Sequence, residues 1–249
     1  MPILSELAPT LLGVLLLAAV ATAVLAAYRV PRRWAPLLAI LRGALQLAVI
    51  SLILAGVITN PLWVAAALLV MFCVAAATAT RRIGWSRDHA LMMGSAMAAG
   101  IAVTLVIVFT TGAIAFSSRY VLAIGGIIIG NSMSIATLAG RRFTEGVNDH
   151  WDEVEGWLAL GATPRQSTLE LARGAVYGAL IPSVDQTKTT GLVTLPGAFV
   201  GAIFGGVSPL EAGRFQVVVL AAIMAAGSIT AVLVAYWLAP VKVRPVRLS

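Results

Sequence analysis

The chain has 249 residues, of which 60% are apolar and 11% charged, with a formal charge of +7, whereas a soluble domain carries about 25% charged residues. Its 17 Lys and Arg and 10 Asp and Glu cannot cover a water-soluble globule of this size, so lipid is the solvent for most of it. The basic residues sit in short clusters between apolar runs, which points away from a nucleic-acid partner and toward Lys and Arg retained on the cytoplasmic side of a bilayer.

Charge-free runs predict an all-α polytopic membrane protein with about seven transmembrane helices, each near the roughly 20 residues that a crossing needs. In chain order they are Pro9–Tyr28, Trp34–Val57, Leu62–Thr80, Ala90–Thr111, Tyr120–Leu138, Thr189–Gly205 and Phe215–Leu238. Ahead of the first run, Glu6 stands with no basic residue, so a signal-peptide n-region is missing and the run reads as a retained span. Asn60-Pro61 is a turn signal with no charge around it, which makes the second and third spans an antiparallel hairpin. Cys73 lies within an apolar run and is the chain's one cysteine, so no disulfide framework is expected.

Loop charges set the orientation. Arg29, Arg32 and Arg33 follow the first span, Arg81, Arg82 and Arg87 the third, and Lys242, Arg244 and Arg247 the last, while alternate loops carry almost none. The expectation is an N-terminus outside and a C-terminus in the cytoplasm of the cell inner (plasma) membrane, with residues 1–249 as a single permease-like domain.

The same rule places the hydrophilic segment 140–188 in the cytoplasm. Phe143, Val147, Trp151, Val154 and Leu158 recur there at spacings of three and four, which lines one face of a helix. Acidic residues, including Glu155, are interleaved with that stripe. Gly161 is a helix stop. Thr163, Pro164 and Gln166 then have the residue types and spacing of a capping box with proline at the first helical position. Leu169, Ala172, Val176 and Leu180 form a second stripe that ends at Pro182. Two cytoplasmic helices joined by a Gly-Ala-Thr-Pro elbow are predicted.

Absences narrow the function. Lys188-Thr189 lacks the preceding glycine loop of a Walker signature, so the chain does not hydrolyse ATP alone. All ten acidic residues fall outside the predicted spans, whereas ion-driven carriers commonly hold a carboxylate near midplane. His89 and His150 belong to no clustered metal-ligand pattern. An energy source must come from a partner, and a cytoplasmic amphipathic helix with Trp151 and Trp157 as anchors is an element that docks on one. A helix lying on lipid headgroups is the alternative, against which its acidic polar face speaks.

Several ordered motifs, Gly130-Asn131-Ser132-Met133, Leu160-Gly161-Ala162-Thr163-Pro164, Ala179-Leu180-Ile181-Pro182 and Lys188 through Leu195-Pro196-Gly197, resemble the membrane subunit of FetB-type ABC transporters. Bacterial members of that family are assigned to iron export and plant relatives to aluminium tolerance. The resemblance implies a permease without its own nucleotide-binding domain, working as a homodimer with a separate cytoplasmic ATPase subunit that alone binds ATP and Mg, and with a coupling helix in segment 140–188. Glu155 and Gly161 also echo the E-A-A-x-x-x-G pattern of ABC importer permeases, with Gly156 and Trp157 in place of its alanines. Ser134, Ala198 and Phe199 depart from the family, which counts against a methionine-based metal path near Pro196.

Candidate route residues follow. Arg42 and Gln46 share a face of the second span, either as a polar lining or as a snorkelled arginine with an interhelical hydrogen bond. Asn131, Ser132 and Met133 stand in the fifth span. Gly126, Gly130 and Ser134 there, and Gly197, Gly201 and Gly205 in the sixth, form stripes that permit close helix approach. Pro196-Gly197 is predicted as a mid-span kink and gate, the alternative being a static bend. Lys188 stands at the sixth span's cytoplasmic edge as a route residue or a snorkelling anchor. Met92, Met93, Met97 and Cys73 read as core rather than ligands, and no metal site is assigned. The rival readings are a membrane binding or regulatory protein that recruits a cytoplasmic partner, and a self-powered secondary carrier.

Overall fold

The computed structural model describes the backbone of residues 2–57 and 60–246 and the side chains of residues 8–51 and 60–246. Of the residues read above, Arg247 lies outside the described residues, as does the side chain of Glu6. Regular structure among the described residues is helical, apart from one isolated bridge between Thr190 and Thr194. The helices are α1 (Pro2–Ala27), α2 (Ala35–Val57), α3 (Pro61–Ile83), α4 (Arg87–Thr110), α5 (Ser118–Asp149), α6 (Trp151–Ala159), α7 (Pro164–Ser167), α8 (Leu169–Thr189), α9 (Gly197–Phe204) and α10 (Pro209–Leu238). Five are long and apolar enough to cross a bilayer: α1 over Ala8–Ala27, then α3, α4, α5 and α10. Within α2 the apolar stretch is shorter, Ala35–Ser51.

The chain divides into two compact units, Met1–Ile58 and Thr59–Ser249. In the first, α1 and α2 pack on each other. Thr22 is buried and donates its hydroxyl to the Ala18 carbonyl at 2.8 Å, so its polar group is satisfied within the helix. The turn between the two helices holds Arg29 and Arg32 at positive φ.

The second unit is a bundle whose strand of neighbours can be read from glycine contacts. Gly125 lies against Leu68 and Gly140 against Ile83, so α3 and α5 run parallel. Gly100 lies against Ala226, and Thr230 donates to the Ala96 carbonyl at 3.4 Å, so α4 and α10 run antiparallel. Gly227 touches both Ile135 and Leu180, and Thr168 meets Ala239, which sets α8 antiparallel to α10 and α5. Finally Phe199 approaches Gly213, and the chain turns directly from α9 into α10. The broken pair α8–α9 therefore travels antiparallel along α10. Small residues at these contacts bring the helix axes close, the packing that apolar surroundings favour when burial gives no further gain.

Start signals decide where several helices begin. Asn60 caps α3, accepting from the Leu62 amide at 2.9 Å with Pro61 behind it, so the predicted turn is present. Ser86, Ser117 and Ser208 cap α4, α5 and α10. The C-terminal end of α3, the start of α4 and the end of α5 gather Arg81, Arg82, Arg87, Arg141 and Arg142 at one end of the bundle, where Arg141 donates to the Arg82 carbonyl at 3.3 Å.

Three expectations are corrected. The fifth apolar run does not end at Leu138, because α5 continues to Asp149, held past the basic end by Phe143 and Val147 packing against Ala172, Ala175 and Ala235. Pro182 does not end a helix: α8 runs through it to Thr189, since Ala175, Gly178, Ala179 and Ser183 are buried on both sides of it. The run Thr189–Gly205 is not one helix, since residues 190–196 form a turn and only Gly197–Phe204 is helical. The close-packing stripes also fall largely elsewhere. Of the predicted stripes Gly126 lies 3.1 Å from Met71, whereas Gly130, Gly197 and Gly201 face open space within this chain; the tight positions include Gly100, Gly125, Gly140, Gly178 and Gly227.

At Gly100 an added methyl would sit 2.5 Å from the Ala226 carbonyl oxygen and 2.7 Å from the Thr230 hydroxyl. Gly100→Ala is expected to destabilise the bundle by about 1–3 kcal/mol. Gly94→Ala, where nothing lies within 4 Å, should be neutral or stabilising by up to ~1 kcal/mol. Thermal unfolding of the two variants in detergent checks the contrast.

Candidate functional site

Two polar features stand out against the apolar bundle. The first is a knob at its basic end. Beyond α5 the chain bends at His150, folds Trp151 back onto the Phe143 and Val147 cluster, and forms α6. The elbow after α6 then turns at Gly161, whose φ of +90° suits glycine. Thr163 and Gln166 close the predicted capping box: the Thr163 amide donates to Gln166 Oε1 at 2.8 Å and the Gln166 amide to the Thr163 hydroxyl at 3.4 Å.

Burial divides the predicted partner-binding residues in two. Phe143, Val147 and Val154 are fully enclosed, and Trp151 and Leu158 are half-buried, so the stripe is the knob's packing face rather than its presented one. What the knob presents is Trp157 and Leu160, 58% and 83% exposed, beside Asp152, Glu153, Glu155 and Gly161. A helix buries the side of its stripe that meets its own chain first, and periodicity alone does not say which face stays free.

The knob is fastened to the bundle by contacts far apart in sequence. The buried Thr168 hydroxyl donates to the Ala239 carbonyl at the end of α10, at 2.7 Å. The Arg165 guanidinium sits 3.8 Å over the Tyr236 ring, a cation–π contact. The tail after α10 returns across the end of α5, where Arg244 donates to the Asn148 carbonyl at 2.9 Å and to its side-chain oxygen at 3.3 Å. Displacing the knob therefore strains the ends of α5, α8 and α10 together.

The second feature lies at mid-bundle on α8. Arg142, at the basic end, runs along Gly178. Asp185 comes seven residues after Gly178, about 10 Å along the axis, and Lys188 about 15 Å, with Lys188 Nζ 4.0 Å from the Asp185 carboxylate. Both stand on helix, about 10–15 Å along α8 from Gly178, rather than in a loop after Pro182. The cause is the continuation of α8 through Pro182. The spacing of Ala172, Ala175, Ala179 and Ser183 carried that signal, because it extends one helical face past the proline.

Threonine hydroxyls back-bond along the last turns of α8. Thr187 donates to the Ser183 carbonyl at 2.8 Å, Thr189 to Asp185 at 2.9 Å and Thr190 to Gln186 at 2.7 Å. In the turn that follows, Gly191 has φ +89° and its amide donates to the Thr194 carbonyl at 2.8 Å. Pro196 is the N-cap of α9 and Gly197 its first residue. The predicted mid-helix kink is therefore a full break between two helices.

The remaining route candidates separate. Asn131 is half-buried and donates its amide to the Ile127 carbonyl at 2.9 Å; Met133 is half-buried against the core. Ser132 is 1% exposed with no partner for its hydroxyl, which puts it between helices and off any open surface. Arg42 and Gln46 are exposed on α2, in the other compact unit. Among the described residues no three His, Cys, Asp or Glu side chains gather into a metal-ligand group. Sequence reasoning missed Asp185 and also Gln216, whose Oε1 is buried without a partner.

The pattern of the Uncharacterised protein family (UPF0014) matches residues 9–241. The UPF0014 membrane protein STAR2 of Oryza sativa subsp. japonica is 36% identical over 202 residues, 80% of this chain and 71% of that protein. The Arabidopsis thaliana protein ALUMINUM SENSITIVE 3 is 34% identical over 197 residues, 78% of this chain and 72% of its own length. The Probable iron export permease protein FetB of Escherichia coli (strain K12) is 35% identical over 141 residues, 57% of this chain and 54% of that protein. No solved structure matches the chain.

Thr168→Val removes the donor to the Ala239 carbonyl while keeping side-chain shape. It is expected to lower stability by about 1–3 kcal/mol and to speed amide exchange in α6 and α7, measured by hydrogen–deuterium exchange.

Proposed function

The chain belongs to the UPF0014 family of membrane proteins, and from that premise we propose that it is the transmembrane permease subunit of an ABC transporter. It works as a homodimer, exports a metal ion such as iron, and is powered by a separate cytoplasmic ATPase subunit that binds ATP and Mg. It catalyses no covalent step. The name of the Escherichia coli relative supports the cargo class. Seven crossings are supplied by α1, α2, α3, α4, α5, the broken pair α8–α9, and α10. The gathering of arginines and the C-terminal tail at one end of the bundle supports a cytoplasmic C-terminus, an N-terminus outside and residence in the inner membrane.

The observation that carries this reading is the knob. It presents Trp157 and Leu160 among carboxylates, as a docking element for a foreign protein does. It is also tied through Thr168 and Arg165 to α10 and through the tail to α5. Closure of the ATPase pair moves the knob, the knob shifts the ends of α8 and α10, and the break at residues 190–196, with Pro196 and Gly197 at its far side, absorbs the change as a hinge. The charged pair on α8 and the polar side chain of Asn131 lie along the route so opened.

Inverted vesicles loaded by vanadate-sensitive Fe²⁺ uptake, only when the partner ATPase is present, are the expected outcome. Trp157→Ala with Leu160→Ala should cut both ATPase co-purification and uptake by about tenfold or more while leaving the unfolding temperature unchanged. A self-powered carrier is the second reading, favoured by the depth of Asp185 on α8. Uptake that proceeds under a proton gradient with no ATPase present establishes it in place of the first.

A further inference from the structure

The outward faces of the bundle helices differ in kind. On α3 the exposed side chains include Leu62, Trp63, Leu69 and Val70, on α4 Leu91, Val103, Val106 and Ile107, and on α10 Val217, Val232, Tyr236 and Trp237. These are surfaces for lipid. The outward stripe of α8, at helical spacing, reads Glu170, Arg173, Gly174, Tyr177, Ile181, Asp185 and Lys188. Its upper part pairs Glu170 with Arg173 at 2.7 Å near the basic end. Its lower part carries Asp185 and Lys188, 63% and 70% exposed, on the helix that the proposed function counts within a membrane crossing.

Two opposite charges left against hydrocarbon are costly, and intramembrane ionisable groups almost always face protein or a watered cavity. The 4.0 Å separation within the pair is too long for a well-formed ion pair, so each group keeps bonding capacity unused. We propose that the outward stripe of α8 meets the same stripe of a second copy across a twofold axis, so that Asp185 of each copy pairs with Lys188 of the other in a four-charge ring at mid-membrane. This rests on the homodimer reading above and assigns its interface.

The stripe fits itself. In a twofold contact residue i meets residue j and j meets i, so a patch bearing one acid and one base at nearly equal depth is complementary to its own copy. The small Gly174 and the flat Tyr177 sit between the two charged ends of the stripe, where two helices can approach closely. The ring is net neutral when closed. A metal cation arriving on the axis meets two carboxylates, one from each copy, and displaces their ammonium partners. That supplies the acidic oxygens a single chain lacks, and it makes the site a property of the dimer.

The test is disulfide cross-linking of the full chain in native membranes, in a Cys73→Ser background. Ile181→Cys and Tyr177→Cys are expected to give a covalent dimer with copper phenanthroline, whereas Leu69→Cys on α3 and Val106→Cys on α4 are not. Asp185→Lys and Lys188→Asp, each placing like charges together, should lower the Ile181→Cys cross-link at least fivefold, and the double swap Asp185→Lys with Lys188→Asp should restore it to within twofold of the unswapped protein. Native mass spectrometry on the same samples counts copies. A dimer that forms without cross-links on α8, or a double swap that does not rescue, overturns the ring while sparing the homodimer. A single copy by mass overturns both.

Discussion

A helix that ends within lipid must find donors for its last carbonyls in its own chain, because no water is there to supply them. On the seven-crossing reading proposed above, α8 meets that constraint with its own chain. Its last carbonyls are met by backbone amides, Thr190 donating to Thr187 at 3.4 Å and Val193 and Thr194 to Thr189 at 2.9 and 3.1 Å, while three threonine hydroxyls back-bond to Ser183, Asp185 and Gln186. A glycine at positive φ then ties the following turn to itself. With the end sealed in this way, the chain can stop, turn and start again as α9 without exposing an unsatisfied backbone. A mechanical break becomes possible in the middle of the bundle, and the charged pair one turn earlier is carried to the same depth.

The rest of the bundle is the rigid counterpart of that break. At Gly100, Gly140 and Gly227 the neighbouring helices approach so closely that a methyl group meets backbone or core side chains. Such contacts have one arrangement. The tight contacts at Gly100, Gly140 and Gly227 lie outside α9, the turn before it and the knob. The knob itself is stiff inside, through the Phe143 cluster and the capping box, so a push on its outer surface arrives at its attachments rather than dissipating within it. Pro182 adds to this, since a proline in mid-helix removes one backbone bond between the packed half of α8 and its charged half.

Much of the architecture was legible because it depends on one-dimensional signals. Long apolar runs gave α1, α3, α4 and α10 nearly their full extents, and the Asn60 cap and the Thr163–Gln166 box were readable from residue type and spacing. The misreadings share one cause. Pro182 was taken as a stop, so the hydrophilic Ser183–Lys188 stretch was assigned to the cytoplasm. Local propensity argued for a stop at Pro182, and packing on α5 and α10 carries the helix through it to Thr189. The stripe beginning at Phe143 was found but its direction was not, because periodicity reports that a face is apolar and not which neighbour covers it. Trp157 and Leu160, the residues left outside, fell off the stripe for that reason. Close-packing glycines were misplaced on similar grounds: Gly130 and Gly227 look alike in sequence and differ in what stands opposite them.

The fastenings of the knob have a consequence for the order in which the molecule is made. Thr168 reaches its acceptor 71 residues later in the chain, and Asn148 meets Arg244 after 96. A ribosome synthesising this polypeptide delivers the knob well before either anchor exists, so the element stays loose until the final helix has been inserted. Only a finished chain therefore holds the knob at both fastenings.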